Sequence, residues 1–337
     1  MKTHLPLRRD QFHDMPVTLL KSNDFEVTLF RYPAGIEAVR LQNRRGSVIV
    51  LPFYGQMIWD AAFDGHTLSM GHSFKQPLPG NNIIDTYGCF AFHSGLLANG
   101  CPAAEDTHPL HGEMPCARMD NAAIVLEADT LSLEGEVEYV KGFGHHYRAE
   151  PAVRLQADAS RLHIDMMVTN LAGAPMPLQY MCHLNYAWVT QGRFRQSVPD
   201  KAFALRSTVP AHVRPTPGWL AYTEQLAQKP EAFRVLDQPE MYDPEIVFFA
   251  DDLPQYGDEA QFELHSPEGY AFMTRFSTAA FPHATRWILY NPDQQVAAFV
   301  LPATCRPEGF LAAQRAGTLI ALAPGEQRAF SVETGLL

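Results

Sequence analysis

Apolar and polar residues alternate along much of this chain, with a period of two. In Arg161–Asn170, Leu162, Ile164, Met166 and Val168 share one face, while His163, Asp165 and Thr169 share the other. In 133–141, Gly135, Val137 and Tyr139 oppose Glu134, Glu136 and Glu138. In 327–334, Phe330 and Val332 oppose Ser331 and Glu333. This is the pattern of strands with one buried face. Further strands are predicted over 25–32, 47–51, 56–59, 123–126, 178–186, 246–250, 261–264, 271–276, 286–290, 296–301 and 318–322. Turn residues punctuate them, as in Asp64-Gly65, Asn291-Pro292-Asp293 and Ala323-Pro324-Gly325-Glu326. Many short strands between regular turns predict an all-β fold, a large antiparallel sandwich with few short helices.

One helix is expected over 219–227, stopped by Pro230. The Pro-rich stretch 199–244 reads as an irregular insertion over one edge, and 1–24 as an N-terminal extension. No internal repeat or low-complexity linker divides the chain, so 1–337 is expected to be a single domain. The stretch 93–118, HSGLLANGCPAAEDTHPLHGEMPCAR, has neither helical nor strand periodicity. It is expected to be a long loop, anchored by Leu96, Leu97, Leu110 and Met114, that presents imidazoles and carboxylates to a small polar ligand.

Charge narrows the partners. Lys+Arg 26 against Asp+Glu 37 leaves a net charge of -11, with no basic run, which argues against nucleic acid and anionic membranes. The first residues carry no apolar signal region, and no apolar run reaches the ~20 residues of a membrane span. The five cysteines include no CxxC pair and read as reduced thiols in a cytoplasmic protein. Oligomeric state is left open.

Two histidines carry the candidate chemistry. His183 lies in a strand-like run beside Asn185, framed by Tyr180, Tyr186 and Trp188. Aromatic rings pack on the apolar side of a pyranose while polar groups take its hydroxyls, so this run suits a sugar; it also suits a core histidine satisfied by a carbonyl. His111 lies in the loop with His93, His108 and Glu113. His108, His111 and Glu113 could ligate a divalent metal, but the spacing is loose and no metal is expected. No dinucleotide, P-loop or nucleophile-elbow motif occurs, so no cofactor is expected.

Taken in order, these segments resemble the galactose mutarotase-like superfamily, in its divergent aldose 1-epimerase-like branches. Leu110-His111-Gly112 resembles the family's first histidine motif, and Cys182-His183-Leu184-Asn185-Tyr186 its second. His93-Ser94-Gly95 falls where some branches keep an Arg-Gly-Gly sugar-binding turn. The run from Trp287 through Asn291-Pro292-Asp293 to Ala323-Pro324-Gly325-Glu326 resembles the closing strands. The order holds from about residue 25 to the end.

The resemblance implies a large β-sandwich binding a free sugar in a cleft on one sheet. It implies interconversion of anomers: a base takes the anomeric proton, an acid protonates the ring oxygen, and the ring opens, rotates and recloses. By the match His183 is the acid and His111 holds the ring oxygen or a hydroxyl; His93, Asn185, Trp188 and Glu113 are taken as further substrate contacts. The family's base is a glutamate before a Pro in a late strand, where this chain has Leu301 followed by Pro302. Leucine cannot move a proton, so either another acid supplies the base, Glu308 first and Glu113 second, or the substrate reacts differently. The other reading is a non-catalytic carbohydrate-binding or sensing protein.

Overall fold

The computed structural model describes residues 2–209, 213–229 and 233–337. Two sheets account for nearly all its regular structure, and every strand pairing in them is antiparallel. The first runs in the order Lys2–Pro6, Asn121–Glu127, Thr130–Val140, His146–Gln156, Arg161–Asn170, Gln327–Leu336, Ala271–Ser277, Glu259–His265 and Arg193–Gln196. The larger runs from Phe203–Leu205 through Ile246–Ala250, His283–Tyr290, Gln294–Ala303, Met176–Leu184, Ala91–Leu96, Ile58–Phe63, Gly46–Val50, Glu37–Gln42 and Glu26–Arg31 to Val17–Lys21. Two α-helices are present among the described residues, Pro217–Gln228 and Phe310–Ala316.

The alternation in sequence becomes two faces. His146–Gln156 buries every second residue, as a strand packed on one side must. The main core lies between the sheets. Tyr186 Oη meets Thr334 Oγ1 there at 2.6 Å, and the Tyr180 and Phe330 rings meet at 4.9 Å. A smaller apolar cluster holds Ala38, Trp59, Cys89 and Phe92, whereas Val39, Ile58 and Ala91 belong to the main core. Neighbours along one strand thus fall into different clusters, so the smaller cluster sits on the larger sheet's outer face.

Several expectations change here. The extension 1–24 supplies a strand to each sheet: Lys2–Pro6 pairs with Asn121–Glu127, and Val17–Lys21 with Glu26–Arg31. The loop 93–118 begins as strand, because Ala91–Leu96 is buried throughout and shows no alternation. The predicted helix 219–227 is Pro217–Gln228, with Thr216 capping it by accepting from the Trp219 amide; Pro230 lies outside the described residues. Within 199–244 the described residues form that helix, one three-residue strand and short 3-10 turns.

Candidate functional site

His183 is placed by the pairing of Met176–Leu184 with Ala91–Leu96, in which it sits directly opposite Phe92. Cross-strand partners share a face of a sheet. Phe92 belongs to the outer cluster, so His183 faces outward too, and the two rings stack at 4.4 Å. The same face extends across the next strands. Met181 pairs with Ala303, and Leu301 pairs with Thr285, two residues before Trp287. His183, Leu301 and Trp287 therefore share one face, and the His183 and Trp287 rings lie 5.8 Å apart.

His111 reaches that face from the loop. The chain returns onto the end of Ala91–Leu96 through three backbone bonds: Gly95 N–H to His111 O (2.9 Å), Met114 N–H to Gly95 O (2.9 Å) and His111 N–H to Gly100 O (3.0 Å). His111 itself adopts φ +62, followed by Gly112 at +79. A Cβ on Gly112 would stand 2.3 Å from Ala98 O and 2.5 Å from Gly95 O, so only glycine fits this close approach. The turn brings the His111 ring edge-on to His183, 4.9 Å between centroids. Tyr87 closes the group, with its hydroxyl 3.2 Å from His183 Nε2.

The protonation pattern follows from the partners. Ser94 Oγ donates its one proton to Asn99 Oδ1 at 2.5 Å, so toward His111 Nδ1, 3.0 Å away, it can only accept. His111 therefore carries its proton on Nδ1 and presents the Nε2 lone pair. His183 Nδ1 and Asn185 Oδ1 are both buried, while Asn185 Nδ2 donates to Cys89 O at 2.9 Å. Both imidazoles are held neutral. Burial lowers His111 to about 3, against an opposing push from the Glu245 carboxylate. Burial, then the neighbouring His111, holds His183 well below its ordinary value, with Asn185 favouring the charged ring.

Glu245 is the residue that sequence reasoning missed. Trp287 Nε1–H donates to its Oε2 at 2.6 Å, and Arg206 binds its Oε1 at 2.9 Å. It stands one residue ahead of the strand Ile246–Ala250. The available signal was an acid immediately before an all-apolar strand.

The other expected site residues go elsewhere. His93 sits opposite Cys182 on the inner face, its Nδ1 2.8 Å from Tyr180 Oη, and burial lowers it to about 4. Alternation sends it away from His183. Asn185 stays beside His183 but is fully buried, with its amide donating to Cys89 O. Trp188 packs on Tyr290 and Tyr242, ring centroids 4.7 and 5.4 Å away, and donates to Thr190. Glu113 is spent on structure, accepting from the Leu96 and Leu97 amides at 2.9 and 3.0 Å and from Tyr147 Oη at 2.8 Å. Glu308 accepts from Thr208 at 3.3 Å, in a separate cavity with Arg306. His108 Nε2 accepts from the Phe310 amide at 3.3 Å. His108, His111 and Glu113 thus have three different sets of partners and do not form one coordination shell.

The family whose model matches is described as a domain of unknown function (DUF4432), over residues 33–336. No curated protein matches the sequence. The fold is similar to that of a Klebsiella pneumoniae protein described as a candidate aldose 1-epimerase, with TM-score 0.82 at 13% identity over 100% of this chain and 92% of that one. It is similar to a candidate aldose 1-epimerase of Escherichia coli K12, TM-score 0.56 at 16% identity over 100% and 99%. A galactose mutarotase-like protein of Clostridium acetobutylicum gives 0.62 at 11% identity over 94% and 99%. The fold is the galactose mutarotase-like sandwich expected from the sequence.

Proposed function

Starting from a chain that belongs to the DUF4432 family, we propose that it binds a free sugar on the outer face of the larger sheet and interconverts its anomers. One observation carries this reading: His111 and His183, 72 positions apart, meet edge-on at 4.9 Å on the same face as Trp287. Two neutral imidazoles accept hydroxyl protons, Trp287 offers an aromatic surface, and Glu245 with Arg206 supplies charge-assisted hydrogen bonds.

In the proposed reaction the His111 Nε2 lone pair takes the proton of the anomeric hydroxyl. The imidazolium that forms is stabilised by the nearby Glu245 carboxylate, which already favours the charged ring. His183 gives its N–H proton to the ring oxygen while the Tyr87 hydroxyl at its Nε2 replaces it, so the imidazole stays neutral and the charge left on the Tyr87 oxygen is balanced by the His111 imidazolium. The ring opens, the C1–C2 bond turns, and the two transfers reverse on closure. No carboxylate is required at Leu301.

A second reading is favoured by a specific observation. Leu301 occupies the shared face, and both imidazoles are held neutral by burial, so the site has an acceptor-rich wall and no strong acid. On that reading the protein binds a sugar without turning it over. Two-dimensional exchange NMR on a panel of aldoses separates the two. Faster exchange of α and β anomers with the chain than without it, lost in His183→Ala, supports catalysis. Saturation transfer to a sugar with no change in exchange supports binding alone. A panel in which no sugar contacts the protein removes both.

A further inference from the structure

A cavity of about 240 Å³ lies further along the same sheet. It is lined by Asp251, His283, Arg306 and Glu308, and by Ala312 and Ala316 of the helix Phe310–Ala316. His283 is two residues before Thr285 in the strand His283–Tyr290. Alternation puts His283, Thr285 and Trp287 in one row on one face. Four residue steps along the strand separate His283 from Trp287, a span of about 13 Å at the usual rise. The cavity and the histidine pair are therefore neighbours on one surface.

The polar groups in the cavity are fixed by one another. His283 Nδ1–H donates to Asp251 Oδ1 at 2.8 Å, which leaves Nε2 for a ligand. Arg306 Nε donates to both Asp251 oxygens, at 3.1 and 3.2 Å, and its guanidinium lies 4.9 Å over the Phe249 ring. Glu308 keeps one oxygen on Thr208 and the other 3.9 Å from Arg306. Burial raises the Asp251 carboxyl, but the bonds from His283 and Arg306 outweigh it and hold the group well below the ordinary range. Two carboxylates face one guanidinium, so the cavity is net negative and repels anions. The alanine methyls add a small apolar surface. Preoriented acceptors and donors beside such a surface match the hydroxyls and C–H face of a neutral sugar ring.

We infer that this cavity is a second subsite, and that the ligand of this chain carries at least two linked neutral sugar rings, one at the histidine pair and one between His283 and Glu308. This rests on the sugar-binding reading above.

Calorimetric titration of the full chain with glucose and galactose, and with maltose, cellobiose and lactose, tests it. One disaccharide is expected to bind at least about tenfold more tightly than its monosaccharide. Ala312→Phe and Ala316→Phe, which fill the cavity from the helix side, are expected to remove that advantage and leave monosaccharide affinity unchanged. A disaccharide carrying a uronate ring is expected to show no advantage in the wild type. The inference is overturned if monosaccharides bind and no disaccharide binds better, or if the advantage survives in either variant that melts as the wild type does. It is also overturned in its charge preference if the uronate is favoured. Should neither class of sugar bind, the sugar-binding reading fails first and takes this inference with it.

Discussion

Trp287 Nε1–H donates to Glu245 Oε2 at 2.6 Å, and the same indole meets the His183 ring with 5.8 Å between centroids. A carboxylate anchored on one strand is thus tied, through an indole on the next, to an imidazole two strands further on. The strand order Ile246–Ala250, His283–Tyr290, Gln294–Ala303, Met176–Leu184 makes that possible. It gives this chain an acid near the histidine pair although Leu301 occupies the position where the resemblance implied one.

Glu245→Gln tests that relationship. The amide keeps the size and one acceptor for Trp287 but removes the charge that favours a protonated His111. If the histidine pair moves protons, the substitution is expected to slow anomer exchange by about tenfold or more, short of the 10² to 10⁴ of a group that itself transfers the proton, with sugar affinity changed less. Exchange NMR and calorimetry on the same variant measure both quantities. An unchanged exchange rate would remove Glu245 from the mechanism.

Glu113 is expected to matter for stability. Its carboxylate is the acceptor for two backbone amides and a buried tyrosine hydroxyl. Glu113→Ala leaves those donors without a partner, and each orphaned group costs about 1–3 kcal/mol. Urea denaturation should show a loss of that order or larger. A melt indistinguishable from the wild type would contradict the assignment.

The sandwich could be read from the chain because half-buried strands write their faces into the sequence, as Arg161–Asn170 does. The strand Ala91–Leu96 could not, because burial on both faces erases alternation and left its His93, Ser94 and Gly95 looking like loop. That one miss explains the misplaced His93. Once the segment is strand, adjacent residues must face opposite ways, and Phe92 already occupies the His183 side. His111 and His183 were legible as chemistry-bearing positions. Their convergence was not, since it depends on a register between strands far apart in the chain. Glu113 and Glu245 show the same limit from two sides: a glutamate in sequence does not reveal whether amides or a ligand will take its oxygens.

Acid should destabilise the protein well before its carboxylates are protonated. His93 falls to about 4 and His111 to about 3 in the folded chain, both chiefly through burial, and His183 is lowered for the same first reason. Unfolded, each returns to about 6.5. A depressed folded value means that the unfolded state binds more protons below 6.5. The stabilisation is complete above that pH and is lost as pH falls toward 4 and then 3. Each histidine contributes a slope of up to about 1.4 kcal/mol per pH unit in that window. Urea midpoints measured from pH 8 to 4.5 should be flat at first and then drop below about 6.5. Midpoints that stay level down to pH 5 would mean these rings titrate normally and are not buried as described.

The last prediction concerns the turn that delivers His111. Gly112 has φ +79, and a methyl there would collide with two carbonyl oxygens, Ala98 O at 2.3 Å and Gly95 O at 2.5 Å. Neither oxygen can retreat easily. Gly95 O holds the Met114 amide, and Gly95 N–H in turn holds His111 O. Gly112→Ala must therefore push the loop off the end of Ala91–Leu96, carrying the His111 ring away from His183. A strained left-handed position costs about 1–3 kcal/mol, so the chain is expected to fold with reduced stability and to lose sugar binding out of proportion to that loss. His111→Gln, which removes the ring and keeps the turn, separates the causes: it should weaken sugar binding with little effect on the melt. If Gly112→Ala binds sugar as the wild type does, the loop is not what positions the site.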